Sequence, residues 1–520
     1  MIAQTINRIA AWLALAALAA GCASLPPPSA REASFAQTGT EGTRLGRAVA
    51  PLVAAHPDKS GINPLHVPSD AFAARVLLAE AAERTLDLQY YIWHGDQTGY
   101  LLFDAIWRAA QRGVRVRILL DDLNTEGLDE TIAALDAHPN IEIRLYNPLV
   151  YRSARGLNFI GDFTRVNRRM HNKSFIADNQ AAVVGGRNVG NEYFGAGDDA
   201  EFRDLDVLAV GPVVREVSAE FDLYWNSASA YPSAPFTGPA PANATEALEG
   251  RFVTTRADPE STAYIDAVRA TPLVRELIEG RLAFDWTQAK VVRDDPAKTL
   301  DAAARTDILL ITELLETTTP PRISFDLVSP YFVPGDEGTA ALVKLAQRGV
   351  RVRVLTNSLA ATDVPPVHAA YAKRRCDLLR AGVRLYELKP SLPSEVAKSR
   401  SETRGSSKTQ LHAKTFAVDG NLIFVGSFNF DQRSAKLNTE MGVVVDSPTL
   451  ARRLAATFDT SVPNVAYEVR AVTTEAPGCT LEWIERTPAG EIRYTEEPGT
   501  TASQRAWIEF LGMLPIEWLL

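Results

Sequence analysis

Apolar and polar residues alternate over "TLDLQYYIW" (85–93), which predicts a strand with one face toward a core. Helical spacing takes over in "TGYLLFDAIWRAAQR" and stops at Gly113, a typical helix terminator. A strand "VRVRILLDD", a helix near "LDETIAALDAH" and a strand "IEIRLYN" follow. The second half runs through the same order in "RISFDLVSPYFV", "GTAALVKLAQR", "VRVRVLTNS", "HAAYAKRRCDLLRA" and "VRLYEL". Strands and helices alternating at this spacing predict βα units. Each half is therefore expected to be an α/β lobe, a mixed, mostly parallel sheet flanked by helices.

The likeness of the halves extends to identity. "AQRGVRVR" occurs at 110–117 and 346–353, and "RLY" at 144–146 and 384–386, each about 240 residues apart. A period that long describes two pseudo-symmetric lobes, not a solenoid. The first lobe is placed at 61–228 and the second, with a C-terminal segment, at 321–520. Between them, 229–320 is Pro/Ala/Ser-rich and then helical, and reads as a linker with an inserted helical region. The Ser-rich, charged stretch 393–410 reads as a mobile loop, and the terminal "WIEFLGMLPIEWLL" as a packing segment.

Two polar strings share that long period. "MHNKSFIADNQAAVVGGRN" places His171, Lys173 and Asp178 ahead of Gly185, Gly186 and Asn188. "LHAKTFAVDGNLIFVGSFN" places His412, Lys414 and Asp419 ahead of Gly426, Ser427 and Asn429. An apolar run, a turn pair (Asp178-Asn179 or Asp419-Gly420) and a second apolar run make a hairpin signature. The histidine and lysine, two apart on a strand, then face the same way. Lysine supplies a compact charge, asparagine and amides beside glycine supply donors, and imidazole attacks or carries a proton near neutral pH. That set suits a phosphate. Two such hairpins facing each other put an attacking and a proton-donating histidine in one site between the lobes. Asp178 and Asp419, at the turns, read as structural. Carboxylates that orient the imidazoles are sought downstream, at Asp204 in "EFRDLDVLAV" and Glu440 in "LNTEMGVVV", with Asp206 in reserve. A copied but inert hairpin gives no reason for the polar residues to stay the same while the apolar ones vary.

A chain of 520 residues, 46% hydrophobic and 22% charged, fits two well-packed domains. Its net charge of −9 and lack of a Lys/Arg run leave out the footprint of a nucleic-acid binder, so no nucleic-acid partner is expected. The three cysteines, Cys22, Cys376 and Cys479, are odd in number and too widely spaced for a disulfide framework or a CxxC metal cluster. Cys22 stands apart. "MIAQTINRIAAWLALAALAAGCASLPPPSA" has an early Arg8, a short apolar core and a small pair before Cys22, and resembles a bacterial lipoprotein signal. This predicts a signal peptide over 1–21, a lipid anchor on Cys22 and a tether over 22–60. The protein is then exported and held at a membrane facing the periplasm, the outer membrane being favoured because no Asp follows Cys22 directly.

The duplicated His-x-Lys-x4-Asp, each copy trailed by a Gly-x-x-Asn, resembles the phospholipase D superfamily. The second trailing motif, GSFN, fits its pattern, whereas the first, GGRN, has Gly186 where serine is usual. Longer stretches, among them Leu86 to Asn124, "VNRRMHNKSF", "VGGRNVGNEYFGAG" and "SPYFVPGDEG", are similar to its bacterial cardiolipin synthase branch. That resemblance runs from about Asp70 to the C-terminus. It implies two phospholipase D-like lobes and phosphatidyl transfer through a phosphohistidine, with neither metal nor other cofactor. It also implies that His171 is the nucleophile and that His412 is the acid and then the base. Lys173, Lys414, Asn188 and Asn429 are implied to clamp the phosphate. The partners implied are phospholipids at a membrane surface, phosphatidylglycerol and also phosphatidylethanolamine, with cardiolipin as product.

A phospholipase D hydrolase that releases phosphatidic acid shares all these residues and differs only in admitting water. A nuclease of the same superfamily is opposed by the acidic charge and the export signal. A non-catalytic lipid-binding lipoprotein is opposed by two intact motifs.

Overall fold

In a computed structural model the chain is described over residues 25, 31–197, 202–300, 307, 309–390, 410–473 and 479–520. The expected signal peptide, Cys22 and all of the Ser-rich stretch 393–410 except Gln410 lie outside these residues.

The predicted βα order is present in both halves. In the first, strands Thr85–Ile92, Arg115–Asn124 and Ile141–Tyr146 pair in parallel and are joined by helices Gln97–Gln111 and Asp129–Asp136. In the second, Ser324–Val328, Arg351–Asn357 and Arg384–Leu388 do the same, joined by Gly335–Gln347 and by Pro365–Ala372 with Arg375–Arg380. The repeated octapeptide does the same work twice. Gly113 and Gly349 take φ of +91° and +86°, which lets the chain leave the helix without a Cβ clash. Two residues into each strand the valine enters the core, and the arginine after it reaches across the parallel pair, Arg117 Nε to Asp87 at 2.6 Å and Arg353 Nε to Asp326 at 2.5 Å.

Each lobe forms a mixed sheet, of nine and ten strands among the described residues. Parallel pairing is confined to the three βα strands of each, so the expectation of mostly parallel sheets is corrected. The rest is antiparallel because the histidine motifs are true hairpins, Ser174–Ala177 with Ala181–Gly185 and Lys414–Val418 with Leu422–Gly426. Short turns can join only antiparallel neighbours. A hydrophobic cluster shared by the lobes joins Ile176, Val184 and Val207 to Val425, Met441 and Val443, and this seam holds the two hairpins together.

Several segments are more folded than their composition suggests. The stretch expected as a tether is docked from Arg31 on: Ala36 N–H bonds Asp222, Arg117 donates to the Ser34 carbonyl, and Ser60–Leu65 is a strand of the first sheet. Helix Ala244–Ala257 sends Leu248 and Phe252 into the first-lobe core. Asp285–Thr287 then edges the first sheet and Ala289–Arg293 the second, so the expected linker straps the sheets together. Ile508 and Leu511 of the C-terminal helix Ala502–Met513 pack on Leu359 and Ala369. Cys376 and Cys479, 5.8 Å apart at Cα, form a disulfide. The expectation that the cysteines build no framework thus misses one bridge, because folding brings helix Arg375–Arg380 beside strand Thr480–Thr487 from 103 residues away. No helix among the described residues is long and apolar enough to cross a membrane.

Candidate active site

His171 and His412 lie just upstream of their hairpin strands, which begin at Ser174 and Lys414. There the chain pairs with the opposite lobe. The His171 amide donates to the Thr439 carbonyl and the His412 amide to the Arg203 carbonyl, both at 2.8 Å. Glu440 follows Thr439 and Asp204 follows Arg203, so each lobe delivers its carboxylate to the other lobe's imidazole. His171 Nδ1 lies 2.8 Å from Glu440 Oε2, and His412 Nδ1 lies 2.5 Å from Asp204 Oδ2. A carboxylate on Nδ1 holds the proton there and leaves the Nε2 lone pair available. The site is complete only with both lobes. The sequence pointed to both acids but carried no sign of this exchange.

The glycines explain how close the parts sit. A Cβ on Gly185 would lie 2.2 Å from Asp206 Oδ1, and one on Gly426 would lie 2.4 Å from the Met441 carbonyl oxygen. Ser427 and Ser434 donate to the two oxygens of Glu440. At Gly186, the counterpart of Ser427, a Cβ would come within 2.3 Å of Asp204 Oδ1. The first lobe therefore replaces a serine hydroxyl with an aspartate packed against bare backbone.

The remaining acids sort by geometry. Asp206, the reserve candidate, is taken up by Arg75 at 2.9 Å and the Arg187 amide at 3.1 Å, and it contacts neither imidazole. Asp178 and Asp419 sit at the hairpin turns with φ of 52° and 54°. Asp178 accepts the amides of Glu83, Arg84 and Thr85; Asp419 accepts those of Arg322, Ile323 and Ser324. Each carboxylate thus ties its turn to the start of the neighbouring parallel strand.

Lys173 and Lys414 are buried, and each ammonium donates to the carbonyl of the histidine two residues before it. Burial pushes Lys173 well below the usual lysine range and Lys414 down to about 8. Burial, reinforced by Lys173 and Lys414, holds His171 well below its ordinary value. His412 is lowered to about 4 by burial and Lys414. For Asp204 burial works against the charge, but His412 and Lys414 outweigh it and the carboxyl stays well below the usual range. Burial pushes Glu440 up to about 7. At neutral pH the two dyads therefore differ: Asp204 is fully ionised, while Glu440 is partly protonated.

The asparagines differ too. Asn188 accepts from the Ile92 amide and donates to the Tyr193 hydroxyl, both at 3.1 Å, whereas the buried Asn429 Oδ1 has no hydrogen-bond partner among the described residues. Tyr91 meets the His171 ring edge-on at 4.9 Å; Tyr193 and Phe202 flank His412 at 5.2 and 5.1 Å. Sequence reasoning missed these rings and Ser434, because aromatic residues in apolar runs look like core. Among the described residues one group has metal-binding spacing, His94, Asp96 and Glu192. There Asp96 already caps the helix it precedes and His94 pairs with Glu192 at 3.1 Å.

The family profile "Cardiolipin synthase, PLD-like domain" matches twice, over residues 77–225 and 313–462. The chain is 44% identical over 477 residues to cardiolipin synthase C of Escherichia coli K12, covering 92% of this chain and all of that one. It is 31% identical over 416 residues to an uncharacterized protein of Helicobacter pylori 26695, covering 79% and 81% of the two chains. Among solved structures, phosphatidylserine synthase of Haemophilus influenzae Rd KW20 superposes with a TM-score of 0.51 at 15% identity, covering 82% of this chain and 91% of that one, a likeness of fold. With both motif copies matched and this extent of identity, the chain belongs to the cardiolipin synthase family of phospholipase D-like proteins.

Proposed function

We propose that this chain is a phosphatidyltransferase that forms cardiolipin by moving a phosphatidyl group to phosphatidylglycerol through a phosphohistidine. The observation that carries this is the interlobe pair of imidazoles, each backed by the other lobe's carboxylate beside a buried lysine. His171 Nε2 attacks phosphorus, the bond to the headgroup oxygen breaks, and protonated His412 gives that oxygen its proton. A hydroxyl of phosphatidylglycerol then gives its proton to His412 while its oxygen attacks phosphorus. The phosphorus–nitrogen bond breaks and His171 leaves neutral. Lys173, Lys414, Asn188 and Asn429 hold the non-bridging oxygens. The unequal dyads support this division of roles. Ionised Asp204, joined by the charge of the bound phosphate, balances an imidazolium on His412. Burial and the neighbouring Lys173 and Lys414 keep His171 in the neutral form that attacks.

Phospholipid substrates place the protein at a membrane. The lipoprotein-like start supports export and anchoring through Cys22, with the outer membrane favoured, and the Cys376–Cys479 bridge suits an oxidising compartment outside the cytoplasm. Purified protein given vesicles of phosphatidylglycerol and phosphatidylethanolamine is expected to yield cardiolipin. Phosphatidic acid without cardiolipin would make it a hydrolase instead. His171→Ala is expected to abolish turnover; undiminished turnover would remove the phosphohistidine from this residue.

A further inference from the structure

The two lobes part company at the asparagines. In the first, strand Thr85–Ile92 runs into Trp93, which bridges Val189. The Val189 amide bonds the Ile92 carbonyl at 3.1 Å, and the Ile92 amide bonds Asn188 Oδ1. In the second, Phe332 bridges Phe430, and the Val333 amide bonds the Phe430 carbonyl at 2.9 Å, as the His94 amide bonds the Val189 carbonyl. One step earlier the pattern breaks. The Phe430 amide turns to Ser329 Oγ at 3.0 Å, and that hydroxyl donates to the Tyr331 carbonyl at 2.6 Å. Asn429 Oδ1, one residue before that amide, is left buried and, among the described residues, unpaired. The first-lobe phenol that pairs with Asn188 has Ser434 as its counterpart, and Ser434 is committed to Glu440. A buried acceptor without a partner is costly to keep unless a ligand completes it.

A second acceptor lies nearby. The Tyr331 hydroxyl donates to Asp363 Oδ2 at 2.8 Å, and Tyr331 and Val364 both pack against Val333, Val367 and Ala370, which fixes the loop between strand Arg351–Asn357 and helix Pro365–Ala372. Asp363 is exposed, and its charge acts on Lys414 and on the Tyr193 phenol beside His412. It therefore stands at the mouth of the site on the His412 side.

We propose that Asn429 Oδ1, Asp363 and Tyr331 form the subsite for the incoming alcohol and select a polyol headgroup by accepting hydrogen bonds from its hydroxyls, which leaves the Asn429 Nδ2 to the phosphate. The proposal rests on the phosphatidyl-transfer reading. Lys173 and Lys414 can only donate, which suits phosphate oxygens; Asn429 Oδ1 and Asp363 accept, which suits hydroxyls. A glycerol headgroup carries two hydroxyls, so one can rest on the acceptors while the other gives its proton to His412. Water, with a single oxygen, cannot span the two positions.

The test uses the full-length protein in vesicles, with Asp363→Asn, Asp363→Ala and Tyr331→Phe compared against the unaltered chain. The readouts are the ratio of cardiolipin to phosphatidic acid and the phosphatidylglycerol level that half-saturates transfer, both normalised to total donor consumed. For the Asp363 variants the half-saturating level is expected to rise about tenfold, the cost of losing hydrogen bonds to a charged acceptor, and product to shift toward phosphatidic acid. Soluble glycerol against ethanol as competing acceptors gives a second measure, and the preference for glycerol is expected to collapse in Asp363→Ala. An unchanged ratio, half-saturation and preference would overturn the subsite while leaving the transferase intact. If the unaltered protein makes neither cardiolipin nor phosphatidyl-alcohols, it is the transfer reading that falls.

Discussion

A lysine that must be charged to grip phosphate, yet is buried deeply enough to lose its proton near pH 8, sets a limit on the working range. Lys414 is protonated below about 8 and neutral above it, so its grip on the phosphate is expected to give kcat/KM a limb that falls about tenfold per pH unit above about 8. In Lys414→Arg, which stays charged, that limb should disappear from a pH–rate profile. The plateau should be lower by roughly tenfold to a hundredfold, because a planar guanidinium fits a pocket shaped for a compact ammonium poorly. A limb that stays near pH 8 in this variant would assign it to another group. Single residues were also where the sequence was most legible. The paired histidines, lysines and asparagines are visible as repeated strings, and Asp204 and Glu440 emerge by laying one half over the other. Tyr91, Tyr193 and the crossing of each acid to the opposite imidazole are products of tertiary packing, on which a linear pattern is silent.

At the scale of elements, the hairpins depend on acids that do no chemistry in the proposed mechanism. The Asp178 carboxylate collects three amides, and the Asp419 carboxylate collects three at a more exposed turn. Asp178→Ala leaves its amides without a partner where water reaches them poorly, and is expected to cost about 2–4 kcal/mol in thermal or denaturant unfolding. Asp419→Ala should cost less, since water can replace the lost acceptor at Arg322 and Ile323. Specific activity per folded molecule is expected to stay within roughly tenfold of the unaltered protein in both, against the 10³- to 10⁴-fold losses typical of a catalytic group. A drop of that larger size with unchanged stability would return these aspartates to the chemistry. The turn pairs announced the hairpins, but the antiparallel bulk of each sheet went unread, because the eye-catching βα units supply only its three parallel strands.

At the scale of the whole molecule, two lobes related by sequence act as one body. Their sheets share a hydrophobic seam, a strap from Asp285 to Arg293 edges both, and the His171–Glu440 and His412–Asp204 pairs of the site both cross between them. The duplication made the pair of lobes legible, while their mutual dependence appears only in three dimensions. The Cys376–Cys479 bridge is likewise invisible to spacing, yet it closes 103 residues of the second lobe and pins the strands Ala466–Thr473, Thr480–Thr487 and Gly490–Tyr494 that extend its sheet to the body of that lobe. Closing a loop of that length restricts the unfolded chain, so the paired change Cys376→Ser with Cys479→Ser is expected to cost about 2–4 kcal/mol and lower Tm. No site residue lies on the two elements the bridge joins, so cardiolipin formation well below Tm should survive in the serine variant. Thiol titration of protein isolated from the membrane fraction and then unfolded should find these two cysteines unreactive until reductant is added. Two free thiols there, with stability unchanged in the serine variant, would show that the second lobe holds its added strands without a covalent tie, by contacts such as Trp483 Nε1 donating to Glu387 at 2.9 Å.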